Sequence, residues 1–291
     1  MTDQAQTLRE MAGDPEECRG KEIRVISVTS GKGGVGKTNV VANLAYAMTR
    51  LGKRVLVLDA DLGLGNLDVL LGLAPKYHIG HLLSGEKSLS EILIKGPNGM
   101  LILPASSGIQ ELTHLSEGQK LSFISELDNL RESIDILLID TGAGISSNVL
   151  YFNTAAQEII VVVSPEPTSI TDAYAIMKVL FQKHGERRFK LIVNSAKVPR
   201  EGLEIYNNLC TVADRYLDIS IDYLGLIPYD ENLPRAVREQ KAISELYPDS
   251  KAGEAFFALA KTILGSEPER AKGNMQFLWK RLIGGASAAI I

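Results

Sequence analysis

The tract SGKGGVGKT, residues 30–38, constrains the chain more than any other. Gly31, Gly36, Lys37 and Thr38 satisfy G-x-x-x-x-G-K-[ST], after a Val/Ile-rich run and before a stretch of helical period, which is the context in which that spacing binds phosphate. The glycines let backbone N–H groups point at phosphate oxygens, and the helix N-terminus adds about half a positive charge. Nucleotide contacts are therefore expected along Gly31, Lys32, Gly33, Gly34, Val35, Gly36, Lys37, Thr38 and Asn39. Lys37 is expected to reach the β and γ phosphates and the Thr38 hydroxyl to ligate Mg²⁺. Lys32 lies outside the minimal motif, and spacing alone leaves it a solvated loop lysine.

Short apolar runs rich in Val and Ile alternate with longer stretches of helical period, the pattern of a mostly parallel sheet covered on both faces. Strands are expected over 23–29, 55–59, 101–104, 136–140, 159–164, 191–196 and 223–227, and helices over 37–51, 117–131, 169–183, 201–216 and 252–264. The fold class that follows is α/β: a three-layer P-loop NTPase with a twisted, mostly parallel sheet flanked by helices. Gly/Pro/charge-rich linkers near either end divide the chain into an N-terminal helix and linker (1–21), a nucleotide-binding domain (22–264), and a linker with a C-terminal helix (265–291).

An apolar fraction of 45% over 291 residues suffices for a buried core, and a net charge of -4 argues against a surface devoted to nucleic acid. Cys18 and Cys210 lack CxxC spacing, which argues against a disulfide framework, a zinc ribbon or a cysteine-held iron–sulfur cluster. His78 and His81 are near neighbours, for which a loop position is expected rather than a metal site. The first residues show no secretory pattern and no run reaches the ~18 apolar residues of a membrane span, so a cytoplasmic protein is expected.

Asp59 and Asp61, in VLDAD, leave the second strand one residue apart, so both carboxylates can project near the phosphates at the C-terminal edge of the sheet. ILLIDTGAG is an apolar strand ending in Asp140, the form of a segment that binds Mg²⁺ through water, and Gly142 and Gly144 give the loop beyond it freedom to move. With these residues in this order, KGGVGKT resembles the deviant Walker A loop of the MinD/ParA ATPases. That resemblance covers roughly residues 22–264. It implies that Lys32 crosses the interface of an ATP-bound homodimer to the partner's phosphates, that Asp61 orients the attacking water, and that Asp59 belongs to the Mg²⁺ environment. It further implies that Asn66 and Asp68 are switch residues reporting the γ-phosphate, that Asn194 hydrogen-bonds the adenine edge, and that Pro228 and Tyr229 lie beside the ring. The Asn/Thr-Lys-x-Asp arrangement of GTPases is missing, so ATP is the expected nucleotide.

The ends point to a branch. In NMQFLWKRLIGG, Met275, Leu278, Trp279, Leu282 and Ile283 share one helical face while Lys280 and Arg281 lie on the other; Phe277 breaks the pattern. Basic residues beside Trp and Leu suit a helix in a membrane interface attracted to anionic lipid, and the segment is similar to the C-terminal targeting helix of MinD-like proteins. DQAQTLR resembles the DQAxxLR activator motif of the FlhG-type flagellar-number regulators, which implies that Asp3, Gln4, Ala5, Leu8 and Arg9 dock on an FlhF-type GTPase and stimulate it. Flagellar switch (C-ring) proteins or a flagellar transcription activator are further expected partners. A division-site MinD and a DNA-partitioning ParA are the alternatives; DQAQTLR speaks against the first and the overall acidity against the second.

Overall fold

Runs such as RVISVTS, VLVLDA and EIIVVV stay apolar and β-branched instead of alternating, so they are stable only when covered on both faces. The computed structural model describes residues 23–61, 66–104, 130 and 133–267, and every residue of these three runs is buried in it. The strands are β1 (Arg24–Ser30), β2 (Val55–Ala60), β3 (Ile94–Lys95), β4 (Leu101–Pro104), β5 (Ile136–Ala143), β6 (Glu158–Val163), β7 (Arg188–Ala196) and β8 (Ser220–Pro228). They form one sheet in the order β3-β4-β2-β5-β1-β6-β7-β8, parallel throughout except for the β3–β4 pair.

Among the described residues five longer helices cover the sheet: α1 (Lys37–Arg50), α2 (Ser147–Ala155), α3 (Pro167–His184), α4 (Pro199–Tyr216) and α5 (Lys251–Gly265). Alternate strand residues face opposite layers. Ile26, Val28, Val57 and Leu138 pack with α1 and α5, whereas Val25, Leu56, Leu58 and Leu137 pack with Phe152 of α2. Val161, Leu191 and Val193 pack with α3 and α4. The direction of the strands brings the turns after β1, β2, β5, β7 and β8 to one edge of the sheet, where a doubly covered parallel sheet holds its ligand.

All seven expected strands form, with ends displaced by up to three residues, and four of the expected helices are α1, α3, α4 and α5. The helix expected over 117–131 lies outside the described residues, as do Asp3, Gln4, Ala5, Leu8 and Arg9 and the segment from Met275 to Ile283. Several elements are not among those expected, β3, α2 and the short helices Leu67–Leu70, Leu89–Ile92, Asn232–Arg238 and Ile243–Leu246 included. β3 is a two-residue antiparallel edge strand, and α2 buries six of its nine positions, the polar Asn153 and Thr154 among them, which blurs its period. The expectation of a loop at His78 and His81 is corrected: His78 is the N-cap of a short helix, Ile79–Leu83, its Nδ1 accepting from Gly80 N at 3.1 Å while His81 Nδ1 accepts from His78 N.

At the opposite edge of the sheet from the loop 30–38, Arg24 and Lys190 share one buried carboxylate. Arg24 Nε and Nη2 donate to Glu158 at 2.5 and 2.9 Å, and Lys190 Nζ donates to Glu158 Oε2 at 2.5 Å. Arg24 Nη1 also donates to the Ile263 carbonyl at 2.6 Å, fastening the end of α5 to the central strand. Glu158→Ala leaves two buried cations without their counter-ion, and the expected loss is about 3–5 kcal/mol of unfolding free energy. Urea denaturation checks it; a loss within the noise of a surface substitution would mean that solvent already neutralises the pair.

Candidate functional site

β1 delivers the loop to the strand-end edge, and short contacts set its shape. Ser30 Oγ donates to the Lys32 carbonyl at 2.9 Å, and Gly144 N donates to the Ser30 carbonyl at 2.9 Å, joining the loop's root to the turn after β5. Gly34 and Gly36 have φ of 81° and 86°, a backbone region that side chains disfavour. The loop glycines divide into two kinds. A Cβ on Gly31 would lie 2.0 Å from the Asp172 carbonyl of α3, and one on Gly36 would lie 2.4 Å from Asn194 Nδ2, so both are required by the protein's own packing. A Cβ on Gly33 or Gly34 would meet nothing within 4 Å. Their backbone faces open space, which is what a cradle for a phosphate chain requires.

Beside the loop stand three carboxylates and one buried lysine. The β2–β5 register sets Asp59 directly opposite Asp140, and both are buried. Lys37 Nζ donates to Asp140 Oδ1 at 2.6 Å. Asp59 accepts from the backbone amides of Asp61 and Leu67, each at 3.3 Å, and Asp61 Oδ1 lies 3.5 Å from where a Cβ on Gly142 would be. Burial pushes the Asp59 carboxyl up to about 7, with Asp140 adding to the rise and Lys37 opposing it. Burial likewise raises Asp140 against the pull of Lys37. Two buried carboxylates share one lysine, and a divalent cation held by Thr38, Asp140 and the Asp59 environment would fit between them.

Lys32 points elsewhere. Its Nζ donates to Glu166 Oε2 at 2.5 Å and to Thr168 Oγ1 at 3.1 Å, at the N-terminus of α3. With the two side chains 37% and 60% exposed, such a pair is worth at most about 1 kcal/mol. Asn194 Nδ2 donates to the Val35 carbonyl at 2.8 Å, so the expected base residue also braces the loop. Register sets Asn194 opposite Ile227 and Ala196 opposite Pro228, and Tyr229 N donates to the Ala196 carbonyl, which gathers Asn194, Pro228 and Tyr229 at one corner of the edge. Asn66 precedes a short helix, Leu67–Leu70, that contains Asp68.

Glu166 and Thr168 are site residues that sequence reading misses, because they meet Lys32 across more than 130 positions. Sequence reading also misses Asn153 of α2, a buried support beneath the site: it bridges Ser27 and Thr29 of β1, while Thr141 of β5 donates to Thr29 and to the Val28 carbonyl. An Asn amid VLYFNTA was the available signal. Among the described residues no group of three or more His, Cys, Asp and Glu is arranged to hold a metal by itself, so a cation here needs oxygens from the Thr38 hydroxyl or the nucleotide, and none of their helices is long and apolar enough to cross a membrane. Burial raises the thiol of Cys210, in keeping with an inert cysteine.

A family model described as an AAA domain matches residues 23–191. The chain is 47% identical over 262 residues to the antiactivator FleN of Pseudomonas aeruginosa, covering 90% of this chain and 94% of that protein. It is 35% identical over 265 residues to the flagellum site-determining protein YlxH of Helicobacter pylori, covering 89% and 90% respectively. Among solved structures, the septum site-determining protein MinD of Pyrococcus horikoshii, complexed with Mg-ADP, superposes with a TM-score of 0.63 at 27% identity, over 83% of this chain and 96% of that one.

The Asp59 carboxyl, ordinarily at 3.8, holds its proton to about 7 in the folded, ligand-free chain, whereas the unfolded chain releases it near the ordinary value. The folded state therefore binds more protons between those limits, and stability falls as pH rises through them, by up to about 4 kcal/mol. Urea unfolding without nucleotide should show a smaller unfolding free energy at about pH 8 than at about pH 5, a difference that Asp59→Asn largely removes. Equal pH dependence in the two proteins would refute the assignment.

Proposed function

We infer the function from one premise: the chain belongs to the MinD/ParA family of P-loop ATPases, in the branch of the flagellar regulators FleN and YlxH. It is an ATPase that uses ATP and Mg²⁺ and regulates flagellar number. The finer reading is of a switch: the protein dimerises with ATP, sits reversibly on the inner face of the cell membrane, and hydrolyses ATP slowly to reset, stimulated by dimerisation or a partner.

The observation that carries this reading is the second lysine. Lys37 already supplies the resident charge, and Lys32 is parked outside its own site on an exposed pair weak enough to exchange. In a dimer closed edge to edge, Lys32 serves the partner's phosphates, so the stabilising charge arrives only when two subunits meet. The turns at this edge also expose Val69, Ile145, Val198 and Tyr229, each more than half accessible, as suits a surface that self-associates.

Each residue then has a task. The backbone of Gly31 to Gly36 holds the phosphates, Lys37 leaves Asp140 for the β and γ phosphates, and Thr38, Asp140 and the Asp59 environment hold Mg²⁺. Asp61 orients the attacking water beside Gly142, and the segment with Asn66 and Asp68 follows the γ-phosphate, as does the turn with Gly142 and Gly144. The Asn194 amide donates to Val35, and its carbonyl end accepts from the amino group of adenine beside Pro228 and Tyr229. The tail helix, with Met275, Leu278, Trp279, Lys280, Arg281, Leu282 and Ile283, binds anionic lipid. Two copies in a dimer raise its avidity without any new contact. The N-terminal motif stimulates an FlhF-type GTPase, with switch proteins of the flagellar base or a transcription activator as further partners. DQAQTLR disfavours a division-site function.

Two experiments test this. Size-exclusion chromatography with light scattering should give a dimer for the full chain with ATP and a monomer with ADP, and Lys32→Ala should remain a monomer with both. A Lys32→Ala protein that dimerises like the parent would remove the switch. A peptide of residues 1–20 should raise GTP hydrolysis by FlhF, and no stimulation would detach the chain from that partner.

A further inference from the structure

The short helix Leu67–Leu70 is tied to the base corner of the site by a contact the ATPase motifs leave unused. After β8, the helix Asn232–Arg238 ends in a left-handed turn: Gln240 N donates to the Val237 carbonyl and Lys241 N to the Ala236 carbonyl, each at 3.0 Å. Such turns favour glycine at the left-handed position, and here it is Gln240, with φ of 55°. The helix Leu67–Leu70 ends in the same way at Gly72, with Gly72 N donating to the Val69 carbonyl and Leu73 N to the Asp68 carbonyl. The two turns face each other. Gln240 Nε2 donates to the Val69 carbonyl at 3.1 Å, and a Cβ on Gly72 would lie 3.2 Å from Gln240 Cβ.

Both helices run back to the site. The first amide of Leu67–Leu70 donates to Asp59 Oδ2, and the helix Asn232–Arg238 follows Pro228 and Tyr229, its start fixed by Asp230, which accepts from Asn232 N at 2.9 Å and from Ala252 N at 3.1 Å. A side chain kept at a disfavoured φ while its amide spans two segments is an outlier from which a functional hypothesis can start.

We propose that Gln240 is a positioning residue that couples the base corner to the helix Leu67–Leu70, so that seating a base beside Tyr229 also orders the backbone that holds Asp59. This rests on the reading of the site as an ATP site. The test compares two ligands of similar phosphate charge, ATP and inorganic tripolyphosphate, each with Mg²⁺, by amide hydrogen exchange on the full-length protein. In the parent, ATP should slow exchange over residues 67–73 several-fold more than tripolyphosphate does. Gln240→Glu keeps the length and the backbone while removing the donor; Gln240→Gly removes the amide but relaxes the turn, and should raise thermal stability. Both variants should lose the excess protection over 67–73, keep protection over 31–38, and lower kcat more than they change KM. A purely structural role predicts effects that follow stability, hence opposite signs in the Gly variant. Excess protection that survives in Gln240→Gly, or that the parent never shows, overturns the coupling. No protection of 31–38 by ATP in the parent overturns the nucleotide reading, and the coupling with it.

Discussion

Asp59 and Asp140 stand opposite each other on adjacent parallel strands, out of solvent, with Lys37 as the cation that reaches them. Two carboxylates so placed cannot both ionise cheaply, and burial accordingly lifts both. Other features of the edge follow from that crowding. Leu67 and Asp61 turn their amides towards Asp59, Lys37 is drawn onto Asp140, and of the loop glycines Gly33 and Gly34 face open space. In the proposed reading a divalent cation replaces Lys37 at Asp140, which leaves the lysine for the phosphates of the nucleotide.

The two lysines of the loop differ in how firmly they are held. Lys37 is 8% exposed and paired with a carboxylate that is 1% exposed, so breaking its contact demands a replacement for both charges. Lys32 is paired at the surface, where water replaces Glu166 at little cost. The first charge is thus fixed by burial, and the second is held loosely enough to serve a second subunit in the proposed dimer.

Much of this was legible in the sequence. Gly31, Gly36, Lys37 and Thr38 announce the loop because a phosphate cradle demands small residues and a cation at fixed spacing. The strand ends at Asp59 and Asp140 announce the carboxylates because a charge is costly after a buried apolar run. What stayed hidden depends on contacts between distant segments. Glu166 on Lys32, Asn153 beneath β1 and Gln240 on Val69 are polar residues whose partners lie more than a hundred positions away, and no local period encodes them. Helix α2 escaped for a related reason, since its polar Asn153 and Thr154 are buried and blur the period, and β3 is too short to show alternation.

The claim that one lysine works inside its own subunit and the other inside its partner has a direct measurement: the ATPase rate of an equimolar mixture of Lys32→Ala and Asp61→Ala proteins, each inactive alone. A mixed dimer holds one site with an intact Asp61 and a partner's intact Lys32, so mixing should restore part of the parental rate. If Lys32 acts within its own subunit, no site in the mixture is complete, and a rate that stays at the level of the separate variants would contradict the assignment.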